Sequence, residues 1–115
     1  MFTKRKIRRY LAEQRAAGNE TAFDRLLEDW LCGRLAAALR ECGMTALELH
    51  IDWLPEHRCI EAVGQYRTQL IEIQVEPGSD TVAYSEDEPD DAAAWPLESA
   101  AAFYAAVRQR LTALA

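Results

Sequence analysis

Hydrophobic positions along the 115-residue chain change their period twice, and each change predicts a new kind of element. Near the start, Ile7, Tyr10 and Leu11 share one side of a short helix over residues 4–17, with Thr3 as its cap and Gly18 as its stop. A stronger stripe follows the Gly18-Asn19-Glu20 loop. Phe23, Leu26, Leu27, Trp30, Leu31, Leu35, Ala38, Leu39 and Cys42 recur at three- and four-residue spacing. That spacing predicts one amphipathic helix of about 20 residues, ended by Gly43. Thr21-Ala22-Phe23-Asp24 resembles a capping box at its start, with Asp in place of the usual Glu or Gln.

The period then falls to two. Leu47, Leu49, Ile51 and Trp53 alternate with Glu48, His50 and Asp52, which predicts a half-buried strand. Residues 54–58 supply a turn, and 59–66 read as the return strand, in which Gly64 marks a bulge or a close backbone approach. Ile71, Ile73 and Val75 alternate with Glu72, Gln74 and Glu76 as a third strand. After the turn Pro77-Gly78-Ser79-Asp80, a fourth runs from Thr81 to Ser85. Connections this short favour a sequential antiparallel meander. The helical period returns at the end, where Trp95-Pro96-Leu97-Glu98-Ser99 reads as a helix start with Pro in the first turn. Phe103, Val107, Leu111 and Leu114 line one face of this helix. The expected fold is therefore α+β, with two N-terminal helices, a four-stranded antiparallel meander and a C-terminal helix. The helices should cover one face of the sheet and leave Glu48, His50, Asp52, Glu61, Glu72 and Gln74 on the other.

Length and composition refine this without altering it. One domain over residues 1–115 is the natural reading, with 21–115 as its core and 1–20 as a basic appendage. No apolar stretch approaches the roughly 20 residues that span a bilayer. No apolar signal region follows the basic start, so the reading points to a cytoplasmic protein. Three cysteines cannot all pair within one chain. Cys32 and Cys42 stand on one predicted helix about 15 Å apart, too far for a disulfide. All three are expected to be buried, reduced thiols.

Charge is the strongest functional signal. Lys4, Arg5, Lys6, Arg8 and Arg9 crowd the first ten residues; removing them from a net charge of −6 leaves −11 on residues 11–115. A body of that sign suits a cationic partner and disfavours nucleic acid or an anionic membrane. Glu86, Asp87, Glu88, Asp90 and Asp91, with Pro89 among them, form a carboxylate run that is either a solvated loop or a docking surface for such a partner. Asp52, Glu61 and Glu72 on the expected open sheet face would extend that surface. Trp53 and Trp95 stand at element edges, where an indole either packs into the core or anchors a partner.

Catalytic chemistry finds no foothold in the pattern. The serines lack a nucleophile-elbow context, and Cys59 and His57, two apart on a strand, stand about 7 Å from each other with no third group evident. His50, His57 and Cys59 do not form the paired ligand pattern of small zinc domains, and glycines are scattered rather than gathered into a phosphate loop. The reading therefore assigns no catalytic residue, no metal site and no cofactor.

The long helix (Trp30-Leu31, then Leu35 to Gly43), the segment Ile51-Asp52-Trp53-Leu54-Pro55-Glu56, and Leu97-Glu98-Ser99 with the closing helix together carry a family resemblance. From Leu26 to Leu111 the chain resembles small immunity proteins of bacterial polymorphic-toxin and contact-dependent growth inhibition systems, of the compact type labelled TriTu. The resemblance implies a non-enzymatic cytoplasmic protein, and the expected state is a monomer or weak dimer. Such a protein neutralises one cognate toxin domain, nucleases being common among those toxins, and the charge reading adds that the toxin surface should be basic. The resemblance transfers no functional residues. The alternative of another class is an acidic secretion chaperone of the type III kind, which binds an effector segment. Its fold carries a helix between strands, and residues 44–85 offer no helical segment to match. A small enzyme without a recognisable motif is the third class.

Overall fold

The computed structural model describes residues 4–77, 81–87 and 92–114. Helix α1, Lys4–Ala16, buries Ile7 and Leu11 one turn apart. It stops at Gly18, whose φ of 70° lies in the left-handed region. There the Gly18 and Asn19 amides return to the Arg15 and Gln14 carbonyls at 3.2 and 2.9 Å, a Schellman turn. Ile7 and Leu11 belong to the same hydrophobic cluster as the sheet, so α1 is built into the core rather than appended to it. Thr3, the expected cap, lies outside the described residues.

The expected single long helix is two helices. Helix α2 covers Ala22–Leu31 and α3 covers Arg34–Glu41. The capping box at Thr21 forms in full: the Asp24 amide donates to Thr21 Oγ1 at 3.3 Å, and the Thr21 amide donates to Asp24 Oδ2 at 3.0 Å. The break falls at Cys32-Gly33, where Gly33 adopts φ 78°. Cys32 is exposed by that turn, against the expectation of three buried thiols; Cys42 and Cys59 are buried. Trp30 and Leu31 pack half-buried at the margin of the core, while Phe23, Leu26, Leu27, Leu35 and Leu39 fill its centre. A second Schellman turn ends α3, its Gly43 and Met44 amides reaching the Arg40 and Leu39 carbonyls.

Five strands follow in sequence order: β1 Thr45–Leu54, β2 His57–Tyr66, β3 Gln69–Val75, β4 Thr81–Glu86 and β5 Ala93–Pro96. Each pairs antiparallel with the next, so β1 and β5 are the edges. This is the expected meander with one strand more. Residues 93–96 pair with β4, Trp95 opposite Val82, and Pro96 occupies an edge strand, where a missing amide costs little. Helix α4 therefore begins later than expected, at Ala100, with Ser99 Oγ accepting from the Ala102 amide at 3.0 Å.

Near its start β1 carries a bulge, the two residues Ala46 and Leu47 matching one on β2 between the Thr45–Gln65 and Glu48–Val63 pairs, with Ala46 at φ 50°. Opposite the bulge is Gly64. A Cβ there would lie 2.9 Å from Met44 Cε and 3.1 Å from the Thr45 carbonyl oxygen, so the glycine is required by close approach.

The four helices of the described residues share one side of the sheet. Ile60, Ile71, Ile73, Val75, Val82 and Tyr84 face them, and Phe103, Val107 and Leu111 close the core from α4. Leu49 and Ile51 on edge strand β1 are half-buried. Burying one face by helices and leaving the other to solvent is the α+β arrangement.

Candidate functional site

The uncovered face of the sheet is defined by register. His50 of β1, Glu61 of β2, Gln74 of β3, Ala83 of β4 and Ala94 of β5 align as one cross-strand row. Glu48, Val63, Glu72 and Ser85 form the next, and Asp52 pairs with Cys59 on the far side. Glu76 follows β3 directly and, one register step past the Ile60–Val75 pair, lies beside Cys59. Asp52, Glu61 and Glu72 are thus brought together as expected from their alternation, joined by Glu48 and Glu76.

Among the described residues five carboxylates occupy this face, and no Lys or Arg of its strands projects onto it, since Arg58 of β2 turns to Trp53 on the helix side. His50 Nε2 stands 3.7 Å from Glu48 Oε2, with both side chains exposed. Lys6 of α1 comes near at the β1 edge, where it borders a groove with Asp52, Trp53, Leu54 and Arg58. At the centre, a depression of about 110 Å³ is lined by Glu61, Glu72, Gln74, Ala83, Ser85 and Ala92. Carboxylates alternate along a strand at about 7 Å, so their mutual repulsion persists until a cation arrives.

The remaining expected contacts are elsewhere. Glu86 extends to the helix side, where Arg110 of α4 grips both of its carboxylate oxygens. Its side chain is 15% exposed, and that pair raises the Arg110 guanidinium above its ordinary value. Asp87, at φ 62°, accepts the Leu70 amide on Oδ1 at 2.9 Å and donates its own amide to the Leu70 carbonyl at 2.7 Å. Glu86 thus ties the sheet to α4, and Asp87 joins the end of β4 to β3. Glu88, Asp90 and Asp91 lie outside the described residues. Trp53 and Trp95 are on the helix-covered side. Trp53 meets Tyr10 edge-on at 5.2 Å under the Arg58 guanidinium, and Trp95 stacks on Tyr84 at 4.0 Å. Trp53 meets Asp52 in the groove at the β1 edge, and neither indole lines the central depression with Glu61 and Glu72.

Cys59 is buried beneath the acidic face, and burial pushes its thiol up from the ordinary value, with Glu76, Asp52 and Glu61 adding to the rise. The ligand atoms of His57, Cys59 and Glu76 lie within 4.8 Å of one another. Side chains at positions two apart therefore converge more closely than strand spacing alone implies. Glu76 was missed as their neighbour because its place depends on the register between β2 and β3.

The chain matches no family model, no curated protein and no solved structure. Among the described residues, no helix is long and apolar enough to cross a membrane.

Proposed function

We propose that this protein acts by binding, and that its uncovered sheet face docks a cognate toxin domain through a basic surface and so neutralises it. The observation that carries this reading is the face itself: four carboxylates on three adjacent strands and Glu76 just past β3, with no Lys or Arg of those strands turned to that face among the described residues. Such a field draws in a cationic surface and speeds its association. The strands are held by hydrogen bonds on a filled core, so little order is lost when the partner lands. A substrate cleft built to hold phosphates is lined by Lys and Arg, and a rigid array of carboxylates competes for it. The resemblance to small immunity proteins supplies the class of partner. The cytoplasm is where such a toxin is met. The uninterrupted order of β1, β2 and β3 counts against the chaperone alternative, whose fold needs a helix among its strands.

The test uses the cognate toxin domain, which this reading expects to be encoded by a neighbouring gene. Replacing Glu48, Glu61 and Glu72 by Gln and Asp52 by Asn should slow association, flatten its salt dependence and reduce protection of cells, with the fold intact by circular dichroism. A companion variant carrying Glu88→Gln, Asp90→Asn and Asp91→Asn should retain most of the binding. Unchanged association by the first variant, or loss of binding by the second alone, overturns the sheet face as the docking surface.

A further inference from the structure

At one end of the uncovered face, we infer that His57, Cys59 and Glu76 form a binding site for a divalent transition-metal ion of the zinc class. This goes beyond the docking role and does not depend on it.

The geometry comes from the sheet. His57 and Cys59 are two apart on β2 and project to the same side, and the β2–β3 register sets Glu76 beside Cys59. One imidazole nitrogen, one sulfur and one carboxylate oxygen then fall within 4.8 Å of one another. Zinc bonds of about 2.0–2.3 Å place neighbouring ligand atoms of a tetrahedral site about 3.5 Å apart. Closing the remaining gap of about 1 Å needs side-chain rotation only. β2 is hydrogen-bonded on both sides, to β1 and to β3, so the backbone beneath two of the three ligands is fixed.

The donor set selects the metal. Sulfur with imidazole and one carboxylate suits Zn²⁺ or Co²⁺, whereas Ca²⁺ and Mg²⁺ require shells of oxygen. The surroundings favour any cation: Asp52 is the cross-strand partner of Cys59, and Glu61 lies two residues along the same strand. The Cys59 sulfur makes a 3.6 Å contact to the Ile60 carbonyl and a hydrogen bond with Gln74, both of which a metal would replace. Three protein ligands leave a fourth position for water or for Asp52. The sequence hid this site because its ligands come as one near pair and one distant carboxylate, without the paired Cys or His spacing of zinc domains. The hydrophobic core lies on the opposite face of the sheet, so the metal adds to a fold that already stands.

The experiment titrates Co²⁺ into the untagged, reduced full chain carrying Cys32→Ser, which removes the exposed thiol. A thiolate-to-cobalt charge-transfer band should grow and saturate at one equivalent, and Zn²⁺ should displace it and raise Tm. Cys59→Ser should abolish the band. His57→Ala and Glu76→Gln should each weaken Co²⁺ binding by more than about tenfold, and His50→Ala should leave it unchanged. His57 is exposed, so its truncation leaves the core intact and keeps the test valid if the Cys59 variant folds poorly. A missing band, a band that survives Cys59→Ser, or affinity indifferent to both His57→Ala and Glu76→Gln overturns the site.

Discussion

Tyr104 donates its hydroxyl hydrogen to Asp29 Oδ2 at 2.6 Å, tying α4 to α2 across 75 residues of chain. Asp29 is almost fully buried, and its other oxygen accepts from Arg34 at 3.2 Å. Arg34 is mostly exposed, so Tyr104 is the partner that water replaces least well. Tyr104→Phe keeps the ring and removes the donor. It should destabilise the protein by about 1–3 kcal/mol in urea unfolding, the range for stranding a buried acceptor. An unchanged midpoint would show that water reaches Asp29 freely.

Alkaline pH should unfold the protein through the same phenol and two others. Burial and the bond to Asp29 raise Tyr104 above its ordinary value; burial and Glu86 raise Tyr84; burial and Asp24 raise Tyr10 to about 12. An unfolded chain releases these protons from about pH 10 upward, whereas the folded chain keeps them. The stability they contribute is complete below about pH 10 and is lost as pH climbs through the folded values. Urea midpoints should therefore fall between about pH 9 and pH 12, and Tyr104→Phe should make the fall shallower.

The uncovered face should show its repulsion in the free protein. Neutralising Glu48, Asp52, Glu61 and Glu72 should raise stability by about 0.5–2 kcal/mol at low ionic strength, with the gain shrinking as salt screens the charges. Glu86→Gln should move the other way, because its carboxylate is held by Arg110. Thermal melts of both variants across a salt series separate the free carboxylates from the committed one.

Two glycines should respond differently to alanine. At Gly64 a Cβ meets a backbone oxygen at 3.1 Å, so Gly64→Ala must move β1 and should cost about 1–3 kcal/mol. At Gly33 nothing lies within 4 Å, and only the φ of 78° opposes the change, for about 1–2 kcal/mol. A β1 amide exchange rate that rises in the first variant and not in the second would separate steric from backbone strain.

The strand alternation was legible because each of the first three strands buries one face and wets the other, so Leu49 and Glu48 report opposite sides. The helix break at Gly33 was not, since Leu31 and Leu35 stay in helical phase across it. β5 has too few residues to show a period, and its proline suggested a helix start instead. The carboxylate run read as free because the partner of Glu86 is Arg110, 24 residues away on another element. Local sequence carries composition and period; it does not carry which distant cation a carboxylate meets.

The bulge between Thr45 and Glu48 also bears on what happens when two copies meet edge to edge. β1 is an outer strand of ten residues, long enough to template pairing with a second chain. A neighbour adding itself to that edge would lose its ladder where Ala46 kinks the strand. It would also set Glu48 and Asp52 of one molecule against their counterparts in the other. The strand is thereby blunted at one end by shape and along its length by like charge, so edge-to-edge pairing through β1 is opposed at both.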